Sequence, residues 1–150
     1  MNEHYIDEIN ITSADSNDLP LKPKLASTVL LIRDSQDSIE VFMIKRAAAT
    51  NFGNAWVFPG GKVDAEDIQW SKENSYLLAA IRECFEESGV LIAQNNSGIL
   101  YSPDNQEELD SLKKYQKKIN DHKLNFRNFL EELQLKPAFN KLNFFSHWVT

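Results

Sequence analysis

The sequence predicts a single α+β domain. Short β-branched and apolar runs fill the first half of the chain, one strongly amphipathic helix follows them, and two further helices precede an aromatic C-terminal run. A chain of 150 residues is long enough for one domain with its own hydrophobic core. We divide it into a flexible leader at residues 1–24 and a folded domain at residues 25–150.

The composition and charge of the chain argue against nucleic-acid and membrane partners. Hydrophobic residues make up 42% of the chain and charged residues 25%, as in ordinary globular proteins. A formal net charge of −6 argues against a nucleic-acid-binding surface, because such a surface needs a dense basic stripe. A single cysteine, Cys84, excludes an intramolecular disulfide, and no apolar run reaches the roughly 18 residues that span a membrane. The acidic leader has no secretory apolar region, so we expect a cytoplasmic protein with no membrane or nucleic-acid partner.

The first half of the chain is expected to form strands. A short strand at Tyr5–Ile11 interrupts the leader. The runs Leu25–Asp34 and Ile39–Arg46 flank a Ser-Gln-Asp-Ser turn and therefore predict a β-hairpin. A further strand at Ala55–Phe58 is short, because Pro-Gly-Gly follows it and ends it.

The second half is expected to be mainly helical. Apolar residues at helical spacing predict a helix over Ser75–Ser88, and Gly89 is suited to the left-handed residue that ends it. The remaining predicted elements are short strands from Val90–Ala93 and at residues 99–102, helices at Glu107–Ile119 and Asn125–Leu133, and an aromatic strand at residues 141–150. A terminal strand of this kind needs a partner, so we expect either that the chain is a fragment or that a homodimer covers the strand.

Several bulky residues of these elements are expected to be buried. Phe144 and Phe145 are assigned to the core, and Trp56 and Trp148 to the core or to a pocket wall. Cys84 lies on the apolar side of the predicted helix, so it is expected to be a buried thiol.

Three glutamates form one patch on the predicted helix. At about 100° per residue, Glu83, Glu86 and Glu87 fall opposite the apolar stripe centred on Ile81. Like charges at this spacing cost about 0.2–0.5 kcal/mol per pair without a counter-ion. The patch is either a solvated acidic face or a set of hard oxygen ligands suited to Mg²⁺ or Mn²⁺, and the helix alone does not decide between them.

The residues before the helix favour the metal site. Gly60 and Gly61 directly follow a short strand in Val-Phe-Pro-Gly-Gly-Lys-Val, where glycine lets the backbone approach a ligand closely. A Gly-Gly pair alone is weak, but its combination with Arg-Glu-x-x-Glu-Glu-x-Gly at residues 82–89 is specific. With these residues the sequence resembles the Nudix hydrolase family, whose box reads G-x5-E-x7-R-E-U-x-E-E-x-G-U, where U is a bulky apolar residue.

The match to this box is complete in its second half and interrupted in its first. Residues 82–90 fit the second half, and Gly61 stands at the first glycine, but 21 positions separate Gly61 from Arg82 where the family spacing gives 14. The candidates for the family's first glutamate are Asp67 by counting from the glycine, Asn74 by counting back from the arginine, and their neighbours Glu66 and Glu73. The interrupted box is similar to a branch that includes organellar coenzyme A diphosphatases.

The resemblance implies a fold, an activity and a set of residue roles. The fold would be a mixed β-sheet between helices, here without its C-terminal part, and the activity would be hydrolysis of a pyrophosphate bond in a nucleoside diphosphate derivative. Glu83, Glu86 and Glu87 and the Gly60 carbonyl would bind Mg²⁺ or Mn²⁺. Catalytic roles fall to Glu83 and Glu86, with Glu83 or a downstream acid as the base, while Arg82 would orient the glutamates. A fourth carboxylate often contributes, and the candidates are Asp104, Glu107, Glu108 and Asp121.

The substrate is less well defined by the sequence. Coenzyme A or an acyl-CoA is the leading substrate, and nucleotide sugars, ADP-ribose and dinucleotides are the alternatives. Arg46 and Lys62 are expected to bind substrate, although Ala48–Val57 lacks the basic residues that coenzyme A-directed members carry there. Two other hypotheses stay open: a non-catalytic Nudix-like binding domain, which the interrupted box favours, and an unrelated domain with a chance acidic helix.

Overall fold

The computed structural model of the chain describes residues 23–48 and 53–149. Most of the predicted leader, with the strand expected at Tyr5–Ile11, lies outside the described residues. So do residues 49–52, which belong to the loop before the strand predicted at Ala55–Phe58, and the terminal Thr150.

Within these ranges the chain combines short strands with helices, which confirms the α+β class. The strands are β1 (Ala26–Thr28), β2 (Ile32–Asp34), β3 (Ile39–Val41), β4 (Ile44–Lys45), β5 (Trp56–Val57), β6 (Gly60–Lys62), β7 (Ala93–Gln94) and β8 (Lys136–Pro137). The helices are α1 (Ala65–Trp70), α2 (Ser75–Ser88), α3 (Gln106–Asn120) and α4 (Phe126–Glu132), and one 3₁₀ turn spans Phe139–Lys141. None of the helices in the described ranges is both long and apolar enough to cross a membrane.

The described strands form antiparallel pairs of two or three residues. The pairs are β1 with β6, β2 with β3, β4 with β5, and β7 with β8. The predicted hairpin is confirmed as β2–β3, in which Ile32 faces Val41 and a Ser35-to-Ser38 hydrogen bond of 2.8 Å closes the turn. The predicted strand at Leu25–Asp34 is split, because its first part pairs with β6 and its second part with β3.

Strand β6 lies where the sequence predicted only a chain break. It runs antiparallel to β1, with Gly60 opposite Thr28 and Gly61 opposite Ser27. A Cβ atom on Gly60 would overlap the backbone of Ser27 and Thr28, so glycine is required for the two strands to approach this closely. The glycines therefore continue the pairing and bring β1 and β6 together beneath α2.

Helix α2 is the centre of the core, and its predicted bounds are confirmed. It ends at Gly89, which has φ 77° and donates its N–H to the Phe85 carbonyl at 2.8 Å. Cys84 and Phe85 are fully buried, as the periodicity predicted. The Phe85 ring stacks on Phe129 of α4 with their centroids 4.9 Å apart, and this pair fixes α2 against the later helices.

The later helices also match the prediction. Helix α3 begins after Asn105, whose side chain accepts the Glu108 N–H at 2.9 Å. Helix α4 begins after Asn125, which accepts the Asn128 N–H at 2.8 Å. Both asparagines are N-caps, and each satisfies one of the backbone donors that a helix start leaves unpaired.

The predicted terminal strand is wrong over its described part. Residues 142–149 form no strand, and Phe144 and Phe145 are 76% and 80% exposed rather than buried. Trp56 and Trp148 are also exposed, so neither lies in the core. An apolar run indicates a strand only when a partner is present to bond to, and no other described strand pairs with this segment.

Candidate active site

The side chain of Arg82 organises the acidic face of α2. Arg82 is 9% exposed, and its guanidinium fork spans three elements. One end, Nη1, donates to Glu83 at 3.0 Å and to Glu86 at 3.4 Å on α2 itself. The other end, Nη2, donates to the Lys62 carbonyl of β6 at 2.8 Å and to Asp67 of α1 at 2.9 Å. Arg82 therefore contacts two of the three glutamates that it is predicted to orient.

Asp67 is the buried partner of that arginine. It is 4% exposed and bonds Arg82 through both carboxylate oxygens, at 2.9 Å and 3.2 Å. Its Oδ2 also accepts the Asp64 N–H at 2.9 Å, which ties it to the start of α1. Burial lowers the pKa of Arg82, but the hydrogen bond and charge of Asp67, together with the charges of Glu83 and Glu86, raise it overall, so this arginine stays charged.

The position of Asp67 decides a question that the sequence left open. Counting from Gly61 reaches Asp67, whereas counting back from Arg82 reaches Asn74, which is the residue before α2 and bonds Ser71 instead. Of the candidates for the first acidic position, Asp67 is the one that pairs with Arg82. The seven extra residues, 68–74, therefore form the second half of α1 and the turn that leads to α2.

Burial also acts on the two glutamates that Arg82 contacts. It raises the pKa of Glu83, which Arg82 partly offsets, and the charges of Glu87 and Asp64 raise it further. Burial also raises the pKa of Glu86. The charge of Arg82 lowers this pKa in part, and the charge of Glu83 raises it further. Both carboxylates are thus poorly solvated anions that a cation would stabilise.

Glu87 faces β6 rather than Arg82. Its Oε2 accepts the Gly60 N–H at 2.9 Å, which joins the last turn of α2 to β6. The N–H and C=O of one strand residue point to the same side, so the Gly60 carbonyl faces α2 as well. The predicted metal ligands Glu87 and Gly60 are therefore neighbours in the fold.

Gly61 leaves room for the Glu83 carboxylate. A Cβ atom at position 61 would overlap all three atoms of that carboxylate. The two glycines differ, since at Gly60 the backbone of β1 requires glycine, whereas at Gly61 a larger residue would displace the end of one acidic side chain. The predicted approach of this backbone to a ligand or metal stays a prediction.

The donor set of this face suits a hard divalent cation. Glu83, Glu86 and Glu87 each commit one carboxylate oxygen to the hydrogen bonds above, so each has a second oxygen available. The three side chains do not converge on one point, and across residues 23–48 and 53–149 no set of three or more acidic, His or Cys side chains is arranged to hold an ion. The chemistry of the ligands therefore fits the ion, and binding would require a change of side-chain rotamers.

Two of the predicted fourth carboxylates make side-chain contacts with other residues. Glu108 bonds Tyr101 and the Asp104 backbone, and Asp121 pairs with Lys117 and Lys123. The other candidates outside the box, Asp104 and Glu107, flank the start of α3. Asp64, which the sequence analysis missed, lies 3.4 Å from Arg82 and is 59% exposed. An Asp-x-x-Asp pattern at residues 64–67 is a helix-start signal that could have indicated α1.

The two predicted substrate-binding cations lie in different places. Lys62 is exposed at the end of β6, and its carbonyl accepts the Arg82 guanidinium, so it borders the acidic face. Arg46 follows β4, where its backbone pairs with Ala55 and Asn54.

Comparisons with known proteins agree with this architecture. The profile of the NUDIX domain matches residues 22–149. The crystal structure of a NUDIX hydrolase from Alicyclobacillus acidocaldarius is similar in fold, with a TM-score of 0.58 and 23% identity over 79% of this chain and 58% of that one. A Caenorhabditis elegans protein provisionally named nudix hydrolase 7 is 42% identical over 71 residues, which is 47% of this chain and 22% of that protein.

These matches place the chain in a class and then in a family. The fold and the acidic helix define an α+β domain built around a Nudix box, and the chain belongs to the NUDIX domain family. Nudix hydrolases generally use divalent metal ions and cleave pyrophosphate bonds in small nucleoside diphosphate derivatives. The chain spans between about a fifth and three fifths of the length of these two relatives.

Proposed function

We propose that this chain hydrolyses a pyrophosphate bond in a nucleoside diphosphate derivative, with Mg²⁺ or Mn²⁺ as the cofactor. The observation that carries the proposal is the buried guanidinium of Arg82, which contacts Glu83 and Glu86 and donates to the Lys62 carbonyl of β6. A solvated acidic face has no need of a buried arginine with a dedicated buried partner, Asp67. This network favours a catalytic site over a non-catalytic binding module.

The residues of the acidic face are proposed to have three roles: metal binding, general-base catalysis and positioning. A bound divalent cation would neutralise the phosphate oxygens and lower the pKa of the attacking water. Glu83, Glu86, Glu87 and the Gly60 carbonyl would hold it. Glu83 is the proposed general base, because burial raises its pKa and so strengthens it as an acceptor for the proton of the water. Arg82 keeps Glu83 and Glu86 in place through its hydrogen bonds.

Coenzyme A or an acyl-CoA is the proposed substrate within this class. The interrupted Nudix box supports it, and the exposed Lys62 beside the acidic face offers a cation to a phosphate. Arg46 is proposed as a second phosphate contact. ADP-ribose, nucleotide sugars and dinucleotides are the alternatives, because each carries the same pyrophosphate.

The proposal is tested by a product assay. The protein is incubated with Mg²⁺ or Mn²⁺ and, separately, with coenzyme A, ADP-ribose, a nucleotide sugar and a dinucleotide, and phosphomonoester products are separated by chromatography. We expect turnover that Glu86→Gln reduces by at least about 100-fold. Glu73→Gln removes an exposed acid just before α2 and should leave the rate unchanged. Nucleotide binding without turnover, unaffected by Glu86→Gln, would favour the binding module instead.

The homodimer also stays a prediction. Phe144, Phe145 and Trp148 are between 63% and 80% exposed, and a second copy of the chain would remove this apolar surface from water. Sedimentation velocity over a range of protein concentrations measures the association, and Phe145→Ser should weaken it. A monomer at all concentrations would exclude the homodimer.

A further inference from the structure

We propose that Gln116 and Asn120 of α3 are positioning residues that hold the last turn of α2, and with it Glu86 and Glu87. Gln116 Nε2 donates to the carbonyls of Phe85 and Glu86, at 3.0 Å each. Asn120 Nδ2 donates to the same Glu86 carbonyl at 3.2 Å. This inference rests on the proposed function, since it assigns Glu86 and Glu87 to the metal.

The end of a helix explains why these contacts are needed. The last four carbonyls of an α-helix have no donor within the helix, and in α2 they belong to residues 85–88. Gly89 donates to the Phe85 carbonyl. The donor that would continue the pattern to Glu86 is the Val90 N–H, but it bonds the Ser88 hydroxyl at 3.1 Å instead. The Glu86 carbonyl therefore depends on the two amides of α3.

These amides act on the turn that carries the proposed ligands. The backbone of Glu86 is anchored from α3 on one side, while its carboxylate is held by Arg82 on the other. The neighbouring Glu87 is tied to Gly60 of β6. Loss of the α3 contacts would free the backbone to fray, so the carboxylates would meet a cation in a wider range of positions.

The experiment measures metal binding directly and without substrate. Free Mn²⁺ is quantified by its EPR signal as the ion is titrated into wild-type protein and variants. Gln116→Met keeps the length of the side chain and removes its donor, and we expect about five- to tenfold weaker Mn²⁺ binding. Asn120→Ala removes one exposed contact and should weaken binding about twofold. Gln106→Met is the matched control at the exposed start of the same helix and should have no effect.

A second variant separates positioning from general stability. Leu112 is a buried core residue of α3, and Leu112→Ala leaves a cavity in the core while keeping both amides. It should therefore lower the melting temperature more than Gln116→Met does. It should change the Mn²⁺ affinity less. Affinities that follow the melting temperatures across the set would overturn the proposal, because the role would then be structural only. Wild-type protein that binds Mn²⁺, together with an unchanged affinity in Gln116→Met, would overturn this inference alone. Wild-type protein that binds no Mn²⁺ would overturn the proposed function, and the inference with it.

Discussion

Large apolar side chains are buried in the helical half of the molecule and exposed on the strand pairs β2–β3 and β4–β5. Phe85 and Phe129 are completely buried between α2 and α4, whereas Ile32 on β2 and Trp56 on β5 are 67% and 62% exposed. The acidic face lies on the first of these regions, because α2 carries the glutamates on one side and the core residues on the other. The candidate site is therefore built on the buried helices and on the β1–β6 pair that α2 contacts.

The largest expected effect lies in the helical core. Phe129→Ala removes a ring that contacts Phe85, Phe126 and Tyr115, and it should lower the free energy of unfolding by about 3–5 kcal/mol. Urea unfolding followed by circular dichroism measures the change. A loss below about 1 kcal/mol would contradict the division into two regions, since it would mean that this core does not hold the fold together.

The next largest effect should come from the buried partner of Arg82. Asp67→Asn leaves the guanidinium without its bidentate acceptor, and we expect a loss of about 2 kcal/mol. This is less than breaking an isolated buried pair costs, because Glu83 and Glu86 remain in contact with Arg82. Thermal and urea unfolding measure it. The control is Asp64→Asn, whose exposed carboxylate contacts the same arginine and should cost at most about 1 kcal/mol. Equal losses in the two variants would show that burial is not what distinguishes Asp67.

The helices of the molecule were well predicted, because residue spacing and capping residues, which are local features of the sequence, determine where they start and end. Helical spacing and Gly89 fixed both ends of α2, and asparagine caps mark the starts of α3 and α4. The pairing of Asp67 rather than Asn74 with Arg82 was not predictable. The sequence does not show whether the seven extra residues lie before or after the first acidic position of the box. The contacts of Gln116 and Asn120 join residues 30 or more positions apart, so no short motif indicates them. The terminal run failed as a strand because strand formation depends on a partner, which local sequence does not describe.

An intermediate effect is expected at Gly61 of β6. Gly61→Ala places a methyl group against the Glu83 carboxylate, and overpacking of this kind costs about 1–3 kcal/mol. Because the clash is with the end of one side chain, Gly61→Ala combined with Glu83→Ala should recover most of the stability lost. Chemical unfolding of the two single variants and the double variant measures this coupling. Additive losses would mean that the methyl group strains the β1–β6 pairing instead.

A smaller effect of opposite sign is expected at Glu86. Burial raises the pKa of this carboxyl, so the native state binds its proton more tightly than the unfolded state does. The cost of the buried charge is therefore present above the raised pKa and declines as the pH falls towards the ordinary value of 4.5. Glu86→Gln should stabilise the metal-free protein at pH 7, and the gain should shrink as the pH is lowered.

Urea unfolding in EDTA at several pH values tests this expectation. Glu73→Gln serves as the control, since Glu73 is exposed and should give a difference that is small at every pH. A destabilised Glu86→Gln at pH 7 would show that the contact with Arg82 outweighs the burial of the carboxylate.

The smallest effect should lie in the strand pairs. Ile32→Ala removes a side chain that is 67% exposed on β2, so little apolar surface returns to water on unfolding and no cavity forms. We expect a change within about 0.5 kcal/mol, against the several kcal/mol expected for Phe129→Ala. Urea unfolding of both variants under the same conditions makes the comparison direct. If Ile32→Ala lowered the free energy of unfolding nearly as much as Phe129→Ala, the Ile32 side chain would be buried in solution. The two regions would then share one core, and the contrast between them would not hold.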